Sequence, residues 1–163
     1  MVIGIIADTH NDIEMTEKAI DYLRTRNVDM ILHAGDIISP RLLDLFRGIH
    51  CRFVLGNSDI DADLLNTKAT ELGFGTVDQF CDFVTGGKRF LVFHGNDVPK
   101  FREAVASGVY DYIIKGHTHI FENYVSNNTR IINPGTLYGA DELTVAILDT
   151  EHDRVEKVRI NED

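Results

Sequence analysis

The chain has 163 residues, which suits one domain with a hydrophobic core that needs neither disulfides nor a structural metal. It is 44% hydrophobic and 26% charged, as usual for a soluble globular protein, and no apolar run reaches the length of a membrane span. The formal net charge of −10 repels nucleic acid at long range and disfavours a nucleic-acid partner. We therefore expect a single domain over residues 1–163, without a membrane partner.

The N-terminus and the two cysteines indicate the compartment. Residues 2–7 read as a strand with no basic leader before it, so we expect no secretory signal. Cys51 and Cys81 lie in apolar, strand-like segments and lack metal-type spacing, so we expect them to be reduced, buried and structural. Both features predict a cytoplasmic protein.

The first half of the chain alternates apolar strands with amphipathic helices. Asn11 fits the N-cap of a helix over residues 12–26, and Ser39-Pro40 begins a second helix that ends at Gly48. Strands are predicted over 2–7, 28–33 and 51–55, and a third helix over 61–72. This βαβαβα order implies right-handed crossovers and an open parallel sheet.

The second half carries signals of antiparallel pairing. Gly86-Gly87 separates strands predicted over 77–85 and 88–93, and Asn127-Asn128 separates strands over 120–126 and 129–132. A helix is predicted after Pro99, a strand over 110–115, and a last antiparallel pair over 143–149 and 154–159. The simplest fold is an α/β domain of two packed, mixed sheets with helices outside.

Side chains able to bind a metal follow five of the apolar runs. These runs end in Asp8-Thr9-His10, Gly35-Asp36, Gly56-Asn57-Ser58-Asp59, His94-Gly95 and Gly116-His117-Thr118-His119. In an extended segment, side chains two residues apart point the same way, so Asp8 and His10 can reach one ion together, and His117 and His119 can reach a common site. Since sites in open α/β sheets form beyond the carboxyl ends of the strands, the five motifs are predicted to converge.

These five motifs, in this order and each after a strand, resemble those of the calcineurin-like metallophosphoesterases. The compact chain is similar to the small bacterial and archaeal phosphodiesterase branch of that family. The resemblance implies a four-layer αββα sandwich and two divalent ions. It implies that the first ion is held by Asp8, His10 and His119, the second by Asn57, His94 and His117, and that Asp36 bridges both. Such ligands suit Mn²⁺, Fe²⁺, Ni²⁺ or Zn²⁺. The family is usually manganese- or iron-dependent, and we expect Mn²⁺ first.

The resemblance also implies the reaction. A hydroxide bridging the two ions attacks a small phosphoester, most simply a phosphodiester, with Asp36, Asn57 and His94 as catalytic residues. Two divalent ions outweigh the negative charge of Asp8, Asp36 and a hydroxide, so the centre stays cationic and attracts a phosphoryl oxygen. Two alternatives stay open: a phosphomonoesterase or phosphoprotein phosphatase, and a protein-binding scaffold similar to a retromer subunit with vestigial hydrolysis.

Two positions depart from the family pattern. Ser58 stands where many members have a histidine, and Asn96 stands where this branch often has another. Losing a positioned general acid costs about 10²–10⁴-fold in rate for a poor leaving group. Our hypothesis is that the enzyme cleaves esters with acidic leaving groups, or recruits an acid from elsewhere. We take Asn11, Ser58 and Asn96 as candidate substrate-binding residues, with helix capping as the alternative for Asn11.

Several other polar residues have ordinary structural interpretations. His33, His50 and His152 are expected to serve packing or surface roles, and Asp59 either orients a histidine or caps the helix before Asp61. The segment 133–135 either closes the rim of the pocket or forms an ordinary turn. A homo-oligomer is a further open expectation.

Overall fold

The structure is a computed structural model that describes residues 1–161, so the last two residues of the predicted domain lie outside it. Within this range the chain forms ten strands and four α-helices. The strands are β1 (Val2–Ile6), β2 (Met30–His33), β3 (Cys51–Phe53), β4 (Phe80–Thr85), β5 (Lys88–Phe93), β6 (Tyr112–Ile114), β7 (Phe121–Ser126), β8 (Thr129–Pro134), β9 (Leu143–Asp149) and β10 (Arg154–Ile160). The helices are α1 (Ile13–Thr25), α2 (Pro40–Leu43), α3 (Ala62–Glu71) and α4 (Val98–Ser107).

The strands form two five-stranded mixed sheets. The first has the order β10-β9-β1-β2-β3, with β1, β2 and β3 parallel and the terminal hairpin β9-β10 antiparallel beside β1. The second has the order β4-β5-β6-β8-β7, with parallel strands in the centre and antiparallel strands at both edges. Both predicted hairpins and the final antiparallel pair are confirmed.

Apolar residues on both faces of each sheet produce four layers. Ile5 and Leu32 of the first sheet pack with Val92 and Ile114 of the second in one buried cluster between the sheets. The outer face of the first sheet is covered by α1, α2 and α3, and that of the second by α4. The predicted αββα sandwich is confirmed. Burial on both faces explains why the central strands are almost continuously apolar.

Several element boundaries differ from the prediction. The second helix stops at Leu43 and continues as a 3₁₀ turn over Asp44–Phe46, so it ends before Gly48. Strand β4 begins at Phe80 instead of residue 77, because Asp78 pairs with Val54 and accepts a hydrogen bond from Leu55 N–H at 2.9 Å. That bridge joins the outer edges of the two sheets.

Within residues 1–161, no helix combines the length and the apolar character needed to cross a bilayer.

Both cysteines are free. Cys51 is buried as expected, and burial raises the pKa of its thiol to about 12. Cys81 is only partly buried, so the expectation of two buried thiols is correct for one of them.

Candidate metal centre

The five motifs lie together beyond the carboxyl ends of β1, β2, β3, β5 and β6. The parallel pairing of β1 and β2 extends past their ends, because Asp8 N–H donates to Gly35 O and His10 N–H donates to Asp36 O, both at 3.0 Å. This places the two acidic loops side by side. The predicted convergence of the motifs is therefore observed at one end of the sandwich.

The ligand-type atoms form two tight groups that share one carboxylate. One group is Asp8, His10 and His119, and the other is Asp8, Asp36 and His94, with the atoms of each group within 4.8 Å of one another. His119 Nε2 lies 3.3 Å from Asp8 Oδ1 and 3.2 Å from His10 Nε2. His94 Nε2 lies 3.4 Å from Asp36 Oδ1. Clustered carboxylates and imidazoles of this kind suit a divalent transition metal.

The backbone conformation of these loops differs from the one predicted from the sequence. Asp8, His10, Asp36, His117 and His119 all have positive φ, between 43° and 72°. The expectation of extended segments with side chains alternating at a period of two was therefore wrong for these loops. Positive φ is uncommon for residues other than glycine and persists where surrounding structure enforces it, as at binding sites.

Two buried atoms in the centre have no hydrogen-bond partner among the described residues. They are Asp8 Oδ1 and His94 Nε2, on side chains that are 0% and 1% exposed. Native proteins leave very few buried polar atoms unpaired, because each one costs free energy. His94 Nδ1 donates to Ala34 O at 2.9 Å. In the neutral imidazole, Nε2 therefore carries the lone pair that a metal needs. The donor set therefore fits a bound cation.

The electrostatics of the centre also favour a bound cation. Burial raises the pKa of Asp8 to about 7, so its charge is poorly stabilised without a cation. Burial also opposes ionisation of Asp36, but the adjacent His94 imidazole, whose Nε2 lies 3.4 Å from Asp36 Oδ1, and two hydrogen bonds from Ser58 hold the pKa of Asp36 well below its usual range. Protein groups stabilise the negative charge of Asp36 but not that of Asp8. A divalent ion would stabilise the charge of Asp8 as well.

Asn57, Ser58 and His117 lie beside the two tight groups. His117 has its ring centroid 5.1 Å from that of His94, and its backbone N–H donates to Asp8 Oδ2 at 2.9 Å. Asn57 Nδ2 lies 3.4 Å from Ser58 Oγ, which donates to Asp36 Oδ2 at 3.0 Å. The roles of Asn57 and His117 as ligands of a second ion stay predictions. Ser58 is placed as a hydrogen-bond donor to Asp36.

The candidate substrate-binding asparagines are both exposed. Asn11 has φ 62°, and the N-cap of α1 is Asp12, whose carboxylate accepts from Met15 N–H at 3.0 Å. The capping interpretation of Asn11 was therefore wrong, because Asp12 makes the cap hydrogen bond and Asn11 lies one residue before the cap. Asn96 lines a cleft next to Asn57. Their contact with substrate stays a prediction.

Asp59 has a role that neither interpretation of the sequence described. Its Oδ2 accepts from Asp36 N–H at 3.0 Å and from Gly56 N–H at 2.7 Å, and its Oδ1 accepts from Ile38 N–H at 2.6 Å. It neither orients a histidine nor caps α3, whose N-cap is Asp61. This carboxylate, which is only 7% exposed, ties the two loops that carry Asp36 and Asn57 together.

Asn133 was treated as a rim or turn residue, but it is fully buried. Its Nδ2 donates to Gly116 O at 2.9 Å and to Thr118 Oγ1 at 3.0 Å, and its Oδ1 accepts from Gly135 N–H at 3.0 Å. It therefore fixes the loop that carries His117 and His119. The available signal was an amide at the carboxyl end of β8, the strand that neighbours β6.

Thr136 was missed by the sequence analysis. This buried hydroxyl donates to Asp8 O at 2.9 Å and so fixes the first acidic loop from the β8–β9 connection. Its residue type and spacing carried no signal.

The three remaining histidines keep the packing and surface roles expected for them. His33 is buried against Phe53, with ring centroids 5.8 Å apart, and its Nε2 lies 3.1 Å from Thr9 Oγ1. Burial lowers the pKa of His33 to about 3, so it is neutral at physiological pH. His50 is exposed, and His152 pairs with Asp149 on the surface.

Comparison with known proteins agrees with this centre and fold. Residues 1–153 match the calcineurin-like phosphoesterase superfamily domain. The chain belongs to this superfamily. It is 31% identical over 158 residues to phosphodiesterase MJ0936 of Methanocaldococcus jannaschii, covering 93% of this chain and 94% of that protein. A solved structure described as a novel archaeal phosphodiesterase superposes with a TM-score of 0.92 at 28% identity, over 98% of this chain and all of the other.

More distant solved structures share the fold alone. Vps29 of Entamoeba histolytica, solved in complex with Zn²⁺, superposes with a TM-score of 0.68 at 18% identity, over 99% of this chain and all of the other. The predictions of a calcineurin-like fold and of a metal-dependent phosphoric ester hydrolase are confirmed at the level of family. The Vps29 likeness adds little to the scaffold alternative, because it does not extend beyond the fold.

Proposed function

We propose that this chain is a dinuclear, metal-dependent phosphodiesterase acting on small phosphodiesters. The observation that carries the proposal is the buried pair of unpartnered atoms, Asp8 Oδ1 and His94 Nε2, which lie 3.9 Å apart between Asp36, His10 and His119. A phosphodiesterase with 31% identity over nearly the whole chain supports the substrate class.

The proposed ligands divide the centre between two ions. Asp8, His10 and His119 serve one ion, Asn57, His94 and His117 serve the other, and Asp36 serves both. Bound divalent cations supply Lewis acidity toward a phosphoryl oxygen and lower the pKa of water to the neutral range.

The protein contributes orientation. Ser58 fixes the Asp36 carboxylate by two hydrogen bonds, from its N–H at 2.8 Å and from its hydroxyl at 3.0 Å. The Ala34 carbonyl fixes the tautomer of His94.

The contacts of Ser58 bear on the leaving group. Because its hydroxyl proton is committed to Asp36, Ser58 is a poor source of a proton for a departing alkoxide. We therefore retain the hypothesis that good substrates have acidic leaving groups. A series of aryl methyl phosphates of graded phenol pKa tests it, and rates should fall steeply as the phenol becomes less acidic. If the rate did not depend on the phenol pKa, and chemistry were shown to limit the rate, the hypothesis of acidic leaving groups would be contradicted.

The function itself is tested with bis-p-nitrophenyl phosphate. Protein purified without added metal is analysed for bound metals, stripped with chelator, and assayed after addition of Mn²⁺, Fe²⁺, Ni²⁺ or Zn²⁺. We expect hydrolysis that depends on the metal and is lost in Asp36→Asn. Asp63→Asn, the same change on the exposed start of α3, is the matched control and should keep full activity.

Comparison with p-nitrophenyl phosphate separates the diesterase from the monoesterase alternative. A higher kcat/KM for the monoester would favour the alternative. Metal binding without hydrolysis of either ester would favour a scaffold.

Finer features follow from the same proposal. Mn²⁺ is the proposed native ion, and the free thiols of Cys51 and Cys81 favour a cytoplasmic enzyme. The net charge of −10 favours small esters over nucleic acid as partners. A single domain over 1–163 and association into a homo-oligomer stay predictions.

A further inference from the structure

Two clefts flank the metal centre on opposite sides. One has a volume of about 350 Å³ and is lined by Asn57, Gln79, Phe80, Asn96 and Asp97, among others. The second has a volume of about 290 Å³ and is lined by His119, Phe121, Ala140, Glu142 and Lys157, among others. We call them the asparagine cleft and the lysine cleft. Each includes one proposed metal ligand, and each is large enough for part of a small organic molecule.

The topology places the clefts at opposite edges of the sandwich. The asparagine cleft lies where β3, an edge of the first sheet, meets β4, an edge of the second, next to the bridge between Val54 and Asp78. The lysine cleft lies where the other two edge strands meet, since Lys157 of β10 lies 5.5 Å from the ring of Phe121 in β7. Asp8 and Asp36 follow the strands between these edges.

This placement matches the shape of a phosphodiester. A monoester carries one organic group and a dianionic phosphoryl group, and it needs one cleft beside the metals. A diester carries two organic arms on opposite sides of phosphorus. We propose, on the basis of the proposed function, that the two clefts form one groove across the metal centre, with one ester arm in each cleft.

The lining limits the chemistry of the first arm. Among the described residues that line the asparagine cleft there is no Lys, Arg or His, while Asp59 and Asp97 contribute negative charge. Asn57, Gln79 and Asn96 offer amide donors and acceptors, and Phe80 offers an aromatic surface. An uncharged arm with hydrogen-bonding groups fits this cleft, whereas a second phosphate would be repelled.

The second arm meets a cleft that is neutral and more apolar. Lys157 forms an ion pair with Glu142, so the cation on this side is already compensated. The exposed Ile120 and the ring of Phe121 supply apolar surface. The substrate class that fits both clefts is a diester of two uncharged organic alcohols, in contrast to a nucleotide polyphosphate or a phosphomonoester.

The test fills one cleft at a time. Ala62 lines the asparagine cleft at the start of α3, and Ala140 lines the lysine cleft. We compare Ala62→Phe and Ala140→Phe with Ala106→Phe, the same change at an exposed position of α4 outside both clefts. The substrates are a thymidine p-nitrophenyl diester, which has two bulky arms, and methyl p-nitrophenyl phosphate, which has one.

We expect each cleft variant to raise the KM for the thymidine diester by about tenfold or more, because both of its arms are bulky, while Ala106→Phe leaves this KM unchanged. The ratio of this KM to that for the methyl diester should rise only in the variant of the cleft that holds the thymidine arm, because both diesters carry the p-nitrophenyl arm. An unchanged KM for the thymidine diester in either cleft variant would overturn the groove. A ratio that rises in both cleft variants, or in neither, would show that the two arms are not divided between the clefts and would also overturn it. Thermal unfolding and metal titration of each variant confirm that the fold and the centre are intact.

A binding measurement separates this proposal from the proposed function. If the metal-loaded wild type hydrolyses no phosphoester, the proposed function fails. The groove is then tested by calorimetric binding of a dithymidine phosphorothioate diester to metal-loaded protein. Weaker binding in both cleft variants, but not in Ala106→Phe, would support the groove. Absence of binding to the wild type, or equal binding by all variants, would overturn it.

Discussion

The carboxylate of Asp59 accepts a hydrogen bond from the backbone N–H of Asp36 at 3.0 Å and so fixes the residue at the middle of the metal centre. The same carboxylate also accepts from Gly56 and Ile38. One buried carboxylate thus satisfies three N–H groups of two loops, and it places negative charge behind the proposed cation site. Its hydrogen bonds position the loops of the proposed ligands Asp36 and Asn57.

Asp59→Asn should weaken both stability and metal binding. The amide has one acceptor oxygen in place of two, so at least one buried N–H loses its partner, at a cost on the order of 2 kcal/mol. Metal affinity should fall roughly 10–100-fold, the range for residues that orient ligands. Denaturant unfolding and metal titration measure the two effects. Asp61→Asn is the control, because asparagine is an equally good N-cap; equal effects at both positions would contradict this role for Asp59.

Asn133→Asp should weaken the binding of both proposed ions, because the loop that Asn133 fixes carries His117 and His119. The substitution keeps the shape and the acceptor for Gly135 N–H, but it removes both donors to the histidine loop and places an anion against Gly116 O. We expect both sites to require roughly tenfold more metal in a Co²⁺ titration. Asn128→Asp, in the exposed turn between β7 and β8, is the control and should titrate like wild type. Two tight sites in Asn133→Asp would disprove the assignment.

Gly56→Ala should abolish ordered metal binding. A Cβ built on Gly56 overlaps Asp36 Oδ1 and the Asp36 backbone nitrogen, so Asp36 has to move. Activity should fall below detection, and the increase in unfolding temperature on adding Mn²⁺ should disappear. Gly73→Ala is the comparison, since its Cβ meets nothing within 4 Å and only the positive φ of 79° is strained. That variant should lose a little stability and retain the response to metal; a normal response in Gly56→Ala would refute the prediction.

His33 should make the protein less stable in acid. Burial lowers its pKa to about 3 in the folded state, against 6.5 in the unfolded chain. Between these values the unfolded state binds the extra proton, so the stabilising contribution is complete above pH 6.5 and is lost as the pH falls toward 3. Between these pH values, this residue makes the free energy of unfolding fall by roughly 1.4 kcal/mol per unit decrease in pH.

The measurement is the difference between wild type and His33→Gln in free energy of unfolding across this range. On unfolding in this pH range, the glutamine variant should take up about one proton fewer than the wild type, so its free energy of unfolding should depend less steeply on pH. His50→Gln, an exposed histidine, serves as the control and should leave the slope unchanged. Parallel curves for wild type and His33→Gln would show that His33 is not the titrating group.

The sequence by itself determined the layers of the fold and the candidate residues of the centre. Apolar runs with polar residues at their ends are local patterns, and parallel strands deliver the residues that follow them to one end of their own sheet, as β1 and β2 do in the first sheet and β5 and β6 in the second. Asp8, Asp36 and His94 were therefore recognisable without coordinates. So were the two hairpins, whose Gly-Gly and Asn-Asn turns are also local signals.

The tertiary structure alone decided how the centre is held and what lies beside it. The positive φ of Asp8 and His119, the three hydrogen bonds to Asp59 and the burial of Asn133 depend on contacts between segments far apart in the chain. No local pattern encodes such contacts, because the same side chains in a turn also read as caps or exposed loop residues. The two clefts exist for the same reason: their walls come from edge strands of different sheets, and only packing brings those edges together.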